Sequence, residues 1–318
     1  RPNYLVDTDD LNNDWKLAKK KPVGAYDGES SIIYTYLILN SKGEKEFLDY
    51  AIKHSVIVEK LIEIDKKFDL ISGNAGAAQI MLMLYDVTRD EKYLHIAENA
   101  VTKLEESARG QVVGIGWDVE EGIPPMTGMA HGNSGILIPI LKLWEITQKE
   151  KYEQLAENVW KYENYLYDPE IKNWKDMRVK KNEIIGVGAM AWCHGAPGIL
   201  LSRILTLEFL DDAKWKKRLC DDVEKAYAVM KQNWRRDSWC ICHGNFGNYS
   251  IIEIASKTLE KNTQDSALDL LDYDIKLLHQ EKLNPGLFNG YGGILYALLK
   301  KKNISELFKL KNEVDIYA

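Results

Sequence analysis

The chain has 318 residues, of which 45% are hydrophobic and 28% charged, with a net charge of −6 and four cysteines. This is enough apolar chain to bury a large core, and it excludes an intrinsically disordered protein. The mild acidity and the lack of a basic block argue against nucleic-acid binding, and four cysteines are too few for a disulfide-stapled secreted scaffold.

A Gly-x-x-Gly pattern followed by an apolar run recurs along the chain. Complete copies begin at Gly73, Gly132, Gly195, Gly244 and Gly290, and a degenerate copy begins at Gly28. Successive copies start 45, 59, 63, 49 and 46 residues apart. Self-similarity at a nearly regular spacing of this size is the signature of a repeat architecture.

Each repeat is predicted to contain two helices of different character. The run after a Gly-x-x-Gly, such as 77–85, is apolar nearly all round, which predicts a helix buried on most sides. The next stretch is amphipathic, with Tyr152, Leu155 and Val159 at helical spacing and polar residues between them. The alternation predicts an all-α fold, an α/α toroid of six to seven helical hairpins with an inner and an outer layer of helices.

A closed ring fits the sequence better than an open solenoid, because long irregular insertions at 110–129 and 168–188 interrupt the units. Short β-strands are expected in the first insertion, around 112–117. In a closed ring, every glycine turn lies at the same end of the inner layer. The side chains beside the glycines then converge on the ring axis, and they are Asp69, His131, Cys193, His194, Cys242, His243 and Asn289.

Two of these turns carry a Cys-His pair at the same position of adjacent repeats, Cys193-His194 and Cys242-His243. Thiolate and imidazole ligands together select zinc among the common biological metals. Two cysteines and one histidine leave a tetrahedral zinc one open position, as in catalytic sites. Sulfur ligands keep a bound thiol deprotonated yet nucleophilic, which favours thiol alkylation over hydrolysis. The residues alone leave a second interpretation open, namely two buried structural cysteines with incidental histidines.

Nothing in the sequence directs the chain to a membrane. No apolar run approaches the roughly 20 residues that a membrane span needs, and the N-terminal residues 1–7 lack a signal-peptide pattern. We therefore expect a cytoplasmic protein with reduced thiols. Because the first residue is Arg1 rather than Met, we expect the chain to be processed or to be part of a longer one.

Taken in order, the segments 69–73, 128–132, 191–198, 242–247 and 288–293 resemble the lanthionine synthetase C-like cyclases, and the resemblance covers roughly residues 20–300. The sequence at 192–198, Trp-Cys-His-Gly-Ala-Pro-Gly, most resembles the C-terminal cyclase domain of class II bifunctional lanthipeptide synthetases. The resemblance implies an α/α toroid with a central zinc. We expect one cyclase domain, 1–318, with a lead-in segment (1–23) and the toroid (24–318), within a longer chain.

The resemblance also implies an activity and its residues. Zinc would be held by Cys193, Cys242 and His243, with a substrate cysteine thiolate as the fourth ligand. The thiolate would add to a dehydroalanine or dehydrobutyrine of the same peptide, and this Michael-type addition forms a lanthionine or methyllanthionine ring. His131 would act as the acid or the base of the reaction, with Asp69 as its partner. The implied partners are a dehydrated precursor peptide with its leader, and a dehydratase domain in the same chain or in a separate protein.

Some features depart from the family pattern or leave alternatives open. Stand-alone cyclases often carry an arginine four residues before the first zinc cysteine, and here that position is Ala189, so its role is unfilled or supplied elsewhere. Cys240 could compete for the metal, and His194 is expected to pack near it without binding it. The alternatives are a zinc protein that binds glutathione or adds it to dehydrated residues, a non-catalytic peptide-binding toroid, and a carbohydrate-active toroid. The carbohydrate alternative needs two acids, and the turns offer only Asp69.

Overall fold

The computed structural model describes residues 18–119, 122–178, 188–260 and 285–299, and helices dominate these ranges. In chain order the helices are α1 (Ser30–Ser41), α2 (Phe47–Ile62), α3 (Asn74–Thr88), α4 (Glu91–Ser107), α5 (Asn133–Thr147), α6 (Glu150–Tyr165), α7 (Ala196–Leu207), α8 (Ala213–Asn233), α9 (Asn245–Thr258) and α10 (Tyr291–Leu299). The short strands are β1 (Arg109–Gly110), β2 (Ile115–Gly116), β3 (Tyr167–Asp168) and β4 (Asn173–Trp174).

Consecutive helices pack in pairs that match the predicted repeats: α1 with α2, α3 with α4, α5 with α6, and α7 with α8. The first helix of each pair also packs against the first helix of the next, so α1, α3, α5, α7 and α9 form a continuous inner layer. Helices α9 and α10 begin two further repeats. The fold is an α/α toroid, which confirms the prediction.

The two layers differ in burial as their sequences predicted. In α5 every residue from Asn133 to Leu141 is buried, and α3 is buried on nearly all sides between Asn74 and Leu84. In α6 the buried residues include the stripe of Tyr152, Leu155 and Val159, while the polar residues between them reach solvent. Within the described ranges, no helix is both long enough and apolar enough to cross a membrane.

Backbone hydrogen bonds join each glycine turn to the next around the ring. The N–H of Tyr26 donates to Ile71 (3.1 Å), that of Ile71 to Ala130 (3.3 Å), that of Met129 to Trp192 (3.2 Å), that of Trp192 to Cys242 (3.1 Å), and that of Cys242 to Phe288 (2.9 Å). The rings of Tyr26 and Phe288 then meet with centroids 5.2 Å apart. The first and last described turns are therefore neighbours, and the turns close into a circle at one end of the inner layer.

Two glycines allow the turns to approach this closely. Gly195 has a φ of +93°, and a Cβ at that position would lie 1.9 Å from the carbonyl oxygen of Ala189. Gly128 has a φ of +100°, and its Cβ would lie 2.6 Å from the Cα of His194. Because only glycine tolerates both the backbone conformation and the lack of space, Gly195 allows its own turn to close tightly, and Gly128 allows the turn before His131 to contact the turn that carries Cys193 and His194.

The two insertions form small antiparallel hairpins. In the first, β1 pairs with β2 in the register Arg109 to Gly116 and Gly110 to Ile115. The strand predicted around 112–117 is therefore shorter than expected, since Val112 and Val113 are exposed in the connecting turn. In the second insertion, β3 pairs with β4.

A buried ionic cluster, which the sequence analysis did not predict, joins the outer helices to the inner layer. The Arg203 guanidinium donates through Nη2 to Glu163 (2.6 Å) and through Nε to Asp222 (3.0 Å). The second oxygen of Glu163 accepts from Ser134 Oγ (2.7 Å) and from the N–H of Gly128 (3.3 Å). The cluster thereby ties α6, α7 and α8 to the turn that leads to His131.

Candidate functional site

Three of the side chains predicted at the ring axis form a group that could bind a metal. The ligand atoms of Cys193, Cys242 and His243 all lie within 4.8 Å of one another. The backbone hydrogen bond from Trp192 to Cys242 (3.1 Å) brings their two turns together. In a tetrahedral zinc site, metal–ligand bonds of about 2.0–2.3 Å place neighbouring ligand atoms roughly 3.3–3.8 Å apart. Small side-chain rotations would therefore suffice, and the donor set is one that zinc prefers.

The two thiols of this group titrate together. A hydrogen bond from Cys242, with nearby positive charge from His243, His131 and Arg178, outweighs burial and lowers the pKa of Cys193 to about 7. The hydrogen bond to Cys193, together with burial and the charge of the Cys193 thiolate, raises the pKa of Cys242 far above its usual value. One thiolate is thus favoured near neutral pH, and a second one requires a cation beside it.

Asp69 and His131, the predicted catalytic residues, lie side by side. The Nδ1 atom of His131 is 2.7 Å from one carboxylate oxygen of Asp69. The other oxygen accepts from the backbone N–H of Ser72 (2.7 Å), a local turn that fixes the Asp69 side chain. The hydrogen bond from Ile71 to Ala130 joins the two turns that carry the residues. The pair is therefore held by the same repeat geometry that assembles the thiols.

The environment of His131 favours its charged form. Burial lowers the pKa of the imidazole, but the hydrogen bond and the negative charge of Asp69 outweigh burial and raise the pKa above its ordinary value. Charge on Cys193 acts in the same direction, and Lys67 opposes it. The ring is 29% exposed, so a substrate can reach it. A histidine in this state can donate or accept a proton near neutral pH.

His194 lies against His131 rather than in the metal-binding group. The two imidazole rings stack with centroids 5.4 Å apart and an angle of 27° between their planes. Burial and the positive charges of Arg178 and His131 lower the pKa of His194 to about 3, so it is neutral at physiological pH. Its Nδ1 atom is buried and has no hydrogen-bond partner among the described residues. Packing beside the reactive groups is the role that the sequence analysis expected.

Arg178 is a charged neighbour of the site that the sequence analysis missed. Its Nε and Nη2 atoms donate to the two carboxylate oxygens of Asp176, at 2.9 and 2.6 Å. This fork orients the guanidinium, whose charge acts on Cys193, Cys242 and His194. Arg178 follows β4 in an insertion outside the repeat pattern. The only sequence feature that bears on it is Ala189, where the missing family arginine left open that a cation is supplied from elsewhere in the chain.

The remaining cysteines and Asn289 do not belong to the metal-binding group. All four cysteines are free. Cys240 is fully buried and hydrogen-bonds to His243, but its sulfur is not one of the clustered ligand atoms. Cys220 is exposed on α8. Asn289, predicted at the rim, is exposed. The structure therefore separates the ligand set from the other thiols.

A cavity of about 190 Å³ opens beside the Asp69–His131 pair. Its wall includes Asp69, His131, Lys66, Lys67, Trp117 and Asp118. Trp117 is buried, and its indole N–H donates to the carbonyl oxygen of Leu104 (3.0 Å), which holds that wall in place. His131 thus faces the cavity while its charge also acts on Cys193. A reactant in the cavity would contact the imidazole directly.

Comparison with known proteins identifies the family. Residues 3–309 match the family model described as lanthionine synthetase C-like protein. The chain therefore belongs to this family, which its glycine-turn motifs resemble.

Two relatives from Lactococcus lactis subsp. lactis are distant in sequence. The lacticin 481/lactococcin biosynthesis protein LcnDR2 is 27% identical over 193 residues, which is 54% of this chain and 20% of that protein. The chain thus matches about a fifth of the length of LcnDR2. The nisin biosynthesis protein NisC is 22% identical over 315 residues, which is 86% of this chain and 73% of NisC.

Among solved structures, nisin cyclase aligns with 96% of this chain and 94% of its own, with a TM-score of 0.48 and 18% sequence identity.

Proposed function

We propose that this chain is a zinc-dependent lanthipeptide cyclase that joins cysteine thiols to dehydroalanine or dehydrobutyrine residues of the same peptide. One observation carries the proposal: a buried dithiol–imidazole group lies next to an aspartate–histidine pair in a lanthionine synthetase C-like protein. The group suits the binding of a metal and a thiol, and the pair suits proton transfer. The reaction needs both functions.

Cys193, Cys242 and His243 would hold the zinc. When bound, the metal would supply the positive charge that keeps a substrate thiol deprotonated at neutral pH. Cys193 and Cys242 are each 8% exposed, so the protein covers the ligand group on their side. His243 is exposed, which leaves an approach for the substrate cysteine from that side.

His131 would handle the proton of the addition. When the thiolate sulfur bonds to Cβ, the electrons of the carbon–carbon double bond move towards Cα and its carbonyl oxygen, and Cα then takes up a proton. Because Nδ1 of His131 is bound to Asp69, Nε2 is the atom that can deliver this proton or remove one from the incoming thiol. Asp69 fixes the orientation of the ring and stabilises its charged form.

The substrate would be a dehydrated precursor peptide carrying its leader. We expect it to come from a dehydratase domain in the same chain or from a separate dehydratase. A cytoplasmic location would keep the free thiols of both protein and peptide reduced.

The deciding experiment combines metal analysis with an assay on a dehydrated peptide. Because cyclisation does not change the peptide mass, free thiols are counted by alkylation followed by mass spectrometry. We expect one zinc per chain and a loss of alkylatable thiols that stops when the metal is chelated. If zinc-replete protein leaves every thiol free, the cyclase proposal is wrong. Addition of glutathione to the peptide would instead appear as the mass of one glutathione, which separates that alternative.

A further inference from the structure

The cavity beside Asp69 and His131 has a wall with unbalanced positive charge. Its own carboxylates are already engaged, since Asp69 bonds His131 (2.7 Å) and Asp118 bonds Arg109 (2.5 Å). Lys66 and Lys67 also line the cavity, and both are exposed. Among the described residues, the carboxylates of the wall itself are therefore paired with other cations, and the wall has an excess of positive charge from the two lysines.

Asp65, the acidic residue next to the lysines in the chain, offsets part of the charge of Lys67, which acts on the pKa of its carboxyl, but one carboxylate does not balance two ammonium groups. The carboxylate of Asp65 accepts from the backbone N–H groups of Val23 (2.8 Å) and Lys67 (2.7 Å). Within the part of the chain that the structure describes, neither lysine ammonium forms an ion pair. The protein as a whole is acidic, with a net charge of −6, so an excess of positive charge at this cavity is a local feature rather than part of a general basic surface.

The exposure of the lysines indicates what kind of group they recognise. A solvated ammonium interacts weakly with charge that develops only in the transition state, because water screens it. It contributes more to attracting and orienting a charged group that is already present on the substrate. The charge of Lys67 also opposes the protonation of His131, and a bound carboxylate would offset this effect.

We propose that this cavity receives the dehydrated residue of the peptide and that Lys66 and Lys67 select a carboxylate directly beside that residue. The proposal rests on the cyclase function above and adds a substrate preference to it. The cavity volume of about 190 Å³ is below the roughly 300–1,000 Å³ of sites for drug-sized ligands, so it admits a short stretch of peptide. The carboxylate can belong to an acidic side chain or to the C-terminus of the peptide.

The test uses two synthetic peptides that each contain one cysteine and one dehydroalanine, followed by either Glu or Gln. Exposed ion pairs typically change an equilibrium by about two- to fivefold each. With two lysines we expect kcat/KM to be about 5- to 20-fold higher for the Glu peptide at low salt, mainly through KM. The preference should fall as salt is added. A second pair of peptides, ending after the dehydroalanine as a free acid or an amide, tests the terminal carboxylate in the same way.

Charge variants connect any preference to the two lysines. In Lys66→Ala/Lys67→Ala the Glu-to-Gln ratio should fall to about 1, and in Lys66→Glu/Lys67→Glu it should fall below 1. The matched control Lys42→Ala/Lys45→Ala removes the same charge just after the C-terminal end of α1, where both lysines are exposed. This control should keep the ratio of the unaltered protein. Far-ultraviolet circular dichroism confirms that each variant is folded. A ratio that the Lys66/Lys67 variants leave unchanged overturns the proposal, as does the absence of preference in both peptide pairs.

Failure of the cyclase proposal remains distinguishable from failure of this one. If the unaltered protein forms no ring on either peptide or on a dehydrated precursor peptide with its leader, the cyclase proposal fails. The subsite is then tested by calorimetric titration with unreactive peptides, in which serine replaces dehydroalanine. Tighter binding of the peptide with a carboxylate, lost in Lys66→Ala/Lys67→Ala, supports the subsite by itself. Equal affinities for carboxylate and neutral peptides refute it.

Discussion

Replacing Arg203 with methionine tests whether the buried ionic cluster stabilises the toroid beneath the site. The guanidinium is fully buried and pairs with Glu163 and Asp222, which are each 1% exposed. Methionine would leave two buried carboxylates without their cation, and breaking such a pair costs about 3–5 kcal/mol. At ~2.1 cal/mol/K per residue, a chain of 318 residues has an unfolding entropy of ~0.7 kcal/mol/K, so this loss lowers Tm by roughly 4–8 °C.

Thermal unfolding followed by circular dichroism at pH 7 measures the change in Tm. A second variant, Arg203→Met with Glu163→Gln and Asp222→Asn, removes all three charges while keeping the side chains similar in size. We expect it to recover part of the lost stability, because a buried pair replaced as a whole costs less than one left half-broken. If the single variant unfolds within about 1 °C of the unaltered protein, the reasoning from burial and pairing is wrong.

The site yields further predictions. His131→Ala should lower kcat on a dehydrated peptide by about 10²- to 10⁴-fold, as measured by thiol alkylation, and an undiminished rate would refute its acid–base role. Asp69→Asn removes the interaction that raises the pKa of His131, so the limb of the pH–rate profile that reports His131 should move to lower pH; a fixed limb would contradict the assignment. Cys242→Ala should lose zinc in elemental analysis, whereas Cys220→Ala, at an exposed thiol, should retain it; equal zinc contents would exclude Cys242 as a ligand. Arg178→Ala removes positive charge that lowers the pKa of Cys193, so alkylation of the metal-free protein should require higher pH, and an unchanged alkylation profile would show that Arg178 does not act on this thiol.

The fold could be predicted from the sequence because each part of the repeat has its own local sequence pattern. A glycine turn, an apolar helix and an amphipathic helix each have a signature within a few residues. The predicted sets at 77–85 and around Tyr152 occupy the inner and outer layers. Position in the repeat also carries long-range information, because equivalent turns of a closed ring must meet. The repeat pattern therefore suffices to place Cys193 beside Cys242, although the two cysteines are 49 residues apart in the chain.

The parts that sequence reasoning missed depend on contacts between segments without a shared pattern. Arg203 lies within an apolar run, where a single charge looks like an interruption of a buried helix. Its partners Glu163 and Asp222 lie on helices rich in other acids, and nothing local marks them as buried. Arg178 and Lys67 likewise belong to irregular segments whose path over the ring end is set by packing. Periodicity cannot predict such pairings, because it identifies the buried face of a helix but not the residues of other segments that pack against that face.

His194 and His243 differ in a way that the repeat pattern cannot predict. Both follow a cysteine at the same position of adjacent repeats, so the pattern treats them alike. Their neighbours make them different. His194 is buried against His131, which together with Arg178 disfavours its charged form. His243 is exposed and hydrogen-bonds to Cys240, whereas the corresponding position two residues before Cys193 is Ala191. A partner on one ring nitrogen orients an imidazole and leaves the other nitrogen for a metal. Cys240 therefore has a contact that its sequence position alone did not predict, and in the proposed zinc site this contact would orient His243.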